Sequence, residues 1–259
     1  MDKLQIHPIK ALDDNYIWMI SIYNDCIVVD PGDPEPVHDW LDKNQKSLKA
    51  ILITHRHWDH TDGVDELQRT YQCKVLSPLV SILNVDIEMK DQMNFSLNTY
   101  INCDYPLNIQ VLSTPGHTQE HLCYLINNKN LFSGDTLFSG GCGRNFEGTI
   151  KEFYNSIQKL KLLPKDVKIY CGHEYTRNNL KFALHVEDKN QNLREYYKKL
   201  IPNNLCTLPS TIGLELEINP FLRVNSKQII QYAERSSRKT NLKPWEIFEI
   251  IRKAKDHFT

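Results

Sequence analysis

Short apolar and β-branched runs, broken by turn residues, fill the first two thirds of this chain. Residues 16–21 and 26–30 read as strands, with Tyr23-Asn24-Asp25 as the hairpin turn between them. Pro31-Gly32-Asp33-Pro34 stops the second strand, and Val37, Trp40 and Leu41 then recur at helical spacing over 35–43. Residues 50–53 form a buried-type strand, followed by a histidine-rich turn and a helix around 62–71. Further strands are expected at 109–113, 122–126 and 131–132, a helix at 149–163 ended by Pro164, and a short strand at 167–170. Beyond about residue 174 the pattern turns helical, at 175–186, 190–200, 226–233 and 244–255, with 214–218 the one stretch that reads as a strand. The expected organisation is an α/β domain over 1–173 and a mainly helical domain over 174–259.

Composition adds exclusions. With 31 Lys+Arg against 32 Asp+Glu, the near-neutral balance gives no reason to expect nucleic-acid or anionic-membrane partners. Hydrophobic residues at 41% and charged residues at 24% are ordinary globular usage, which argues against disorder. The longest apolar runs, of about five residues, fall far short of the roughly 20 that a membrane-spanning helix needs. Asp2, Lys3, Asp13 and Asp14 leave no apolar core for a secretory signal. The 7 cysteines are odd in number and contain no Cys-x-x-Cys pair, so a reduced, cytoplasmic setting is expected.

The chemistry lies in Thr54-His55-Arg56-His57-Trp58-Asp59-His60, directly after the strand at 50–53. In extended backbone His55 and His57 point the same way and can converge on one ion, while Asp59 and His60 can face a second. Imidazole and carboxylate suit zinc, iron or manganese. One turn cannot encircle two ions, so ligands from other strand ends are required. Three strand ends supply candidates: Thr114-Pro115-Gly116-His117, Ser133-Gly134-Asp135-Thr136 and Cys171-Gly172-His173-Glu174. Each alone is a weak signal, since a Gly-Asp after a strand is more often a turn or helix cap. Together the four repeat one design, with potential ligands on one rim of a sheet.

With this set, the chain resembles the metallo-β-lactamase superfamily, whose mark is a Thr-His-x-His-x-Asp-His turn. Within it, Asp14-Asn15-Tyr16-Ile17-Trp18, Gly134-Asp135-Thr136-Leu137-Phe138 and Gly141-Cys142-Gly143-Arg144 are similar to the hydroxyacylglutathione hydrolases, the glyoxalase II family. So are Cys171-Gly172-His173-Glu174-Tyr175-Thr176, Asn219-Pro220-Phe221-Leu222-Arg223 and Arg252-Lys253-Ala254-Lys255-Asp256. The resemblance implies an αββα sandwich of two mixed β-sheets flanked by helices, closed by the helical C-terminal domain. It implies two divalent ions, taken as zinc, with iron and manganese fitting the same donors. His55, His57 and His117 would hold the first ion, Asp59, His60 and His173 the second, and Asp135 would bridge them. Asp59 would also orient the attacking water. Arg144, Phe146, His173 and Tyr175 would flank the thioester, and Arg252 and Lys255 would receive the glycine carboxylate of glutathione. Some relatives carry Tyr where Phe146 stands, so this chain lacks that phenol.

The implied reaction is hydrolysis of S-(2-hydroxyacyl)glutathione, typically S-lactoylglutathione, to glutathione and a 2-hydroxy acid, the second step of methylglyoxal detoxification. The expected form is a cytoplasmic monomer with a small-molecule substrate and neither nucleic-acid nor membrane partners. An iron-dependent persulfide dioxygenase of the same superfamily is the alternative, since it shares the histidine turn. A metallonuclease should be strongly basic, an amidohydrolase barrel needs eight βα units, and a structural metal module needs a closed site. A nucleophilic thiol at Cys142 or Cys171 is weighed against small buried packing, which is favoured. Gly140-Gly141-Cys142-Gly143 lacks the spacing of a phosphate-binding loop.

Overall fold

The computed structural model describes residues 4–81, 83–100, 106–200 and 206–258, which fold as two compact units. The first comprises residues 1–114 and 120–134, and the second comprises residues 115–119 and 135–259.

In the first unit, β1 (Gln5–Ala11), β2 (Asn15–Ile22) and β3 (Asp25–Val29) form an antiparallel meander. The turn at Tyr23-Asn24 is two residues long, and Tyr23 adopts a positive φ of 50°, as such tight hairpins require. β1 escapes the hydrophobic pattern because only one face is covered and Pro8 interrupts it, which an edge strand tolerates. β2, flanked on both sides, is buried along its whole length. After α1 (Glu35–Asn44), β4 (Ser47–Leu52) joins β3 in parallel. A one-turn α2 (Trp58–Thr61) and α3 (Val64–Tyr71) then lead to β5 (Lys74–Ser77) and β6 (Ile87–Glu88), also parallel. The sheet order is β1-β2-β3-β4-β5-β6.

One face of this sheet presents Ile17, Met19, Val28 and Ile51 to Val37 and Leu41 of α1 and Val64 and Leu67 of α3, all buried together. Alternate residues, Tyr16, Trp18 and Ile20, point to the other face and are buried too. The unit's second sheet is built from β7 (Asn94–Ser96), β8 (Asn108–Ser113), β9 (Leu122–Ile126) and β10 (Asn130–Gly134), antiparallel throughout. Two bonds tie it to the first sheet beside the histidine turn. The Tyr124 hydroxyl donates to the Ile53 carbonyl at 2.5 Å, and the Leu122 amide to the Thr54 carbonyl at 2.9 Å.

The second unit begins with a small hairpin, β11 (Leu137–Phe138) and β12 (Gly141–Cys142). α4 (Ile150–Lys161) follows, capped by Thr149, whose hydroxyl accepts from the Glu152 amide while the Glu152 carboxylate accepts from the Thr149 amide. β13 (Lys168–Cys171), α5 (Thr176–Val186), α6 (Gln191–Leu200) and β14 (Ser210–Thr211) come next, with β14 antiparallel to β13. α7 (Ile212–Ile218), α8 (Lys227–Ser237) and α9 (Pro244–Asp256) complete it.

Residues 214–218, expected as a strand, lie in α7. The Thr211 hydroxyl accepts from the Leu214 amide, starting a helix whose turns bury Ile212, Glu215 and Ile218 on one side. The buried carboxylate of Glu215 takes the hydroxyl of Ser139 at 2.9 Å and the amide of Gly140 at 2.7 Å, pinning the turn between β11 and β12. Such a tertiary anchor is invisible in a five-residue window.

Candidate metal centre

In the first unit the histidine turn grows out of β4, and its side chains are set by one buried carboxylate. Asp30, just past β3, accepts from the Thr54 amide at 2.8 Å and from the Thr54 hydroxyl at 2.7 Å. That hydroxyl has spent its only hydrogen, so in its 2.9 Å contact with His55 Nδ1 the imidazole is the donor. Nε2 of His55 is therefore the lone-pair nitrogen, 3.1 Å from His57 Nδ1. Asp30 also receives His60 Nδ1 at 3.2 Å, directing Nε2 of that ring towards Asp59 Oδ2 at 3.4 Å. His121 is fully buried, receives or gives a bond with Thr114 Oγ1 at 3.0 Å, and stacks on His55 at 4.9 Å. It backs the ring of His55.

In the second unit His117, Asp135 and His173 come together. Asp135 Oδ2 stands 3.4 Å from His117 Nε2 and 3.3 Å from His173 Nε2. His117 Nδ1 donates to the Arg144 carbonyl at 2.9 Å, which again leaves Nε2 as the lone-pair nitrogen. The segment bearing His117 is held by the Ser156 hydroxyl, which donates to the Pro115 carbonyl at 2.8 Å. Gly143 is required beside it, because a Cβ there would lie 1.9 Å from the Asp135 carbonyl oxygen.

Donor spacing is the test of fit for a metal. Two ligands each about 2.0–2.1 Å from a tetrahedral zinc lie roughly 3.3 Å from one another. The four donor gaps here are 3.1, 3.4, 3.4 and 3.3 Å. These gaps match that separation, and each pair offers ring nitrogens or a carboxylate oxygen that could hold a common ion. These histidine and aspartate clusters are donor sets for divalent metal ions.

The residues expected at the substrate lie in the second unit. Arg144 is exposed, donates to Asp256 at 3.1 Å and sits 5.8 Å from the ring of Phe146. Phe146 is exposed, with its ring 5.2 Å from that of His117. Tyr175 stacks parallel on His173 at 4.7 Å, and Phe138 meets both rings edge-on. Arg252 is buried and donates to the carbonyls of Cys142 at 2.7 Å and Gly143 at 3.3 Å, and to Asp256 at 3.2 Å. Its Nε is buried with no acceptor among the described residues. Lys255 is half-buried over the rings of Phe182 and Phe258, and burial, then the charge of Arg252, holds its ammonium below the usual lysine range.

Burial pushes the Cys142 thiol up to about 11 and Cys171 higher still, so neither is a nucleophile at neutral pH. Sequence reasoning missed Asp30, Asn15 and Gly32. Asp30 also stands at a strand end, but it precedes Pro31 and Gly32, whereas His117, Asp135 and His173 directly follow their glycine. Its partners are 24 and 30 residues away, and no local pattern names them.

A family model described as the metallo-β-lactamase superfamily matches residues 12–82, and one described as the hydroxyacylglutathione hydrolase C-terminus matches residues 174–258. The hydroxyacylglutathione hydrolase of Pseudoalteromonas translucida is 44% identical over 265 residues, covering 98% of this chain and 100% of the relative. That of Idiomarina loihiensis is 42% identical over 263 residues, with the same coverage. Among solved structures, ETHE1 from Myxococcus xanthus is similar at TM-score 0.64 and 19% identity, covering 97% of each chain. The BLEG-1 B3 metallo-β-lactamase is similar at TM-score 0.61 and 22% identity, covering 85% of this chain and 100% of that one. TTHA1623 in a di-iron-bound form is similar at TM-score 0.59 and 22% identity, covering 83% and 100%. These structures share the metallo-β-lactamase fold, two sheets with flanking helices.

Proposed function

This chain belongs to the hydroxyacylglutathione hydrolases of the metallo-β-lactamase superfamily, and we propose from that membership how its own residues carry the hydrolysis. The enzyme hydrolyses hydroxyacylglutathione thioesters to glutathione and a hydroxy acid. The persulfide-dioxygenase alternative is not favoured, since the relatives at 42–44% identity carry the hydrolase name.

The proposal assigns His55, His57 and His117 to one ion, Asp59, His60 and His173 to a second, and Asp135 to both. The ions are taken as zinc. The observation that supports this is the common donor spacing of 3.1–3.4 Å, with Nδ1 of His55, His60 and His117 each tied to an oxygen. When bound, such ions lower the pKa of a coordinated water towards neutrality and polarise an acyl carbonyl.

The chain's own groups complete the reaction. Asp59 accepts a hydrogen bond from the attacking water and so aims its oxygen at the acyl carbon. A carbon–oxygen bond forms, the carbon–sulfur bond breaks, and glutathione leaves as a thiolate. A thiol has a reference pKa of about 8.5, so this leaving group needs no strong acid beside it. Tyr175 and His173 offer a stacked aromatic wall to the acyl group, and exposed Phe146 an apolar edge without a phenol. Arg144 flanks the thioester beside Phe146, Arg252 and Lys255 supply positive charge for the glycine carboxylate, and the unmatched Nε of Arg252 supports its part.

We read residues 1–173 as the catalytic domain and 174–259 as the substrate-binding domain. The acyl group is a 2-hydroxy acid such as lactate, and the protein a cytoplasmic monomer. Cys26, Cys73, Cys123, Cys142, Cys171 and Cys206 are free thiols, which suits a reducing compartment, while Cys103 lies outside the described residues. Among the described residues no helix is long and apolar enough to cross a membrane. The test is hydrolysis of S-lactoylglutathione by purified protein alongside elemental analysis. Thioesterase activity with about two divalent ions per chain is expected. Oxygen uptake with glutathione persulfide and no thioesterase activity would overturn the reading.

A further inference from the structure

We propose that Asn15 is the positioning residue for Asp59, holding its carboxylate in the rotation that grips a metal ion. The inference rests on the assignment of Asp59 as a ligand and adds what sets its geometry. Asn15 opens β2, pairs with Ala11 of β1 and is buried. Its side-chain nitrogen donates to Asp59 Oδ2 at 2.9 Å and to the Asp59 backbone carbonyl at 3.2 Å. One amide thus grips both the side chain and the main chain of a residue 44 positions away.

Asp59 needs such a tie. It sits in α2, a helix of 4 residues, too short to be stable on its own backbone bonds. A second constraint comes from Gly32, where an added Cβ would lie 1.8 Å from the Asp59 carbonyl oxygen. Only glycine allows that approach, so the Asp59 carbonyl is both closely packed against Gly32 and hydrogen-bonded by Asn15. The rotation so fixed holds Oδ2 3.4 Å from His60 Nε2, the ligand spacing noted above.

Asparagine suits the task chemically. Its amide offers two hydrogens to two acceptors and carries no charge. Lysine or arginine would neutralise Asp59 and repel an incoming cation, and serine has one hydrogen only. Aspartate would place a second carboxylate against the first. Residues behind a ligand that orient it in this way typically contribute 10–100-fold to metal affinity.

The test compares Asn15→Asp and Asn15→Ala with the parent and with Asp59→Asn. Metal is titrated against a chromophoric chelator, kcat and KM are measured on S-lactoylglutathione, and the metal-free proteins are melted by circular dichroism. Both Asn15 variants should bind one of the two ions at least about tenfold more weakly. Their kcat should fall at metal concentrations that saturate the parent, with KM within about twofold and the metal-free melting curve unchanged. Parent-like metal affinity in both variants would overturn the proposal. So would loss of metal only in step with loss of the metal-free fold, which would make Asn15 a folding residue. If Asp59→Asn keeps both ions at full affinity, the failure lies instead with Asp59 as a ligand.

Discussion

Asp30 takes both hydrogens that Thr54 can give, one from its amide at 2.8 Å and one from its hydroxyl at 2.7 Å. That pairing decides the tautomer of His55, and the same carboxylate holds His60. A single buried acid therefore stands behind two of the proposed ligands.

Thr54→Val keeps the shape of the side chain but removes the hydroxyl that receives His55 Nδ1. The ring is then free to adopt the other tautomer, so metal affinity should fall about 10–100-fold. Thermal unfolding of the metal-free protein should show a loss of about 1–3 kcal/mol, because the buried Asp30 side chain is left with one donor fewer. Chelator titration and calorimetry check the two effects separately.

His57→Ala and Asp135→Ala should lose metal and activity together. Asp135→Ala is expected to be the more severe, since Oδ2 lies within 3.4 Å of two imidazoles. Elemental analysis after gel filtration, with the thioester assay on the same fractions, decides it. A fully active variant with no metal would end the metal reading.

Lys255→Ala should raise KM for glutathione thioesters and leave kcat nearly unchanged, as expected where uniform binding is lost. Arg252→Ala should raise KM as well, but it should also destabilise the protein by about 1.5–3 kcal/mol, because its charged bonds to the Cys142 and Gly143 carbonyls are lost. Steady-state kinetics paired with urea unfolding separates the two residues. An unchanged KM with reduced kcat in Lys255→Ala would remove it from carboxylate binding.

A pH effect is expected at Glu187. Burial alone would raise this carboxyl, but hydrogen bonds from Arg223, Ser226 and Asn190 outweigh burial and hold it below its ordinary value of 4.5. A depressed folded-state pKa means that the unfolded chain binds the proton more readily. The pair's stabilisation is therefore complete above the unfolded value and is lost as pH falls through the folded one. Arg223→Ala, which leaves the buried carboxylate with fewer donors, should cost roughly 3 kcal/mol at neutral pH. Unfolding curves of parent and variant should converge as pH drops below the ordinary carboxylate range.

How much was legible in the sequence differs between the ligands and what surrounds them. The strand-end placement of His55, His57, Asp59 and His60 follows from an apolar run meeting a polar turn, and the structure has that run as β4. The helix expected at 149–163 and ended by Pro164 is present as α4, and the capping box that starts it is local too. Residues 214–218 were misread because Leu, Glu, Leu, Glu, Ile alternate like a strand. The contacts that make them a helix lie with Ser139, Gly140 and Ser210.

By itself, the order of residues determined which side chains can act as ligands, which strand ends carry them, and the family to which the chain belongs. Period and turn chemistry act within a few residues, and these properties are written at that range. Tertiary structure decided which nitrogen of His55, His60 and His117 is tied to an oxygen and which oxygen of Asp59 is held. It also decided that Asn15, Asp30 and Gly32 belong to the story. Hydrogen bonding and close backbone approach operate at about 3 Å through space. A residue 24 or 44 positions away along the chain can therefore set the chemistry of a ligand without leaving any trace in the sequence around it.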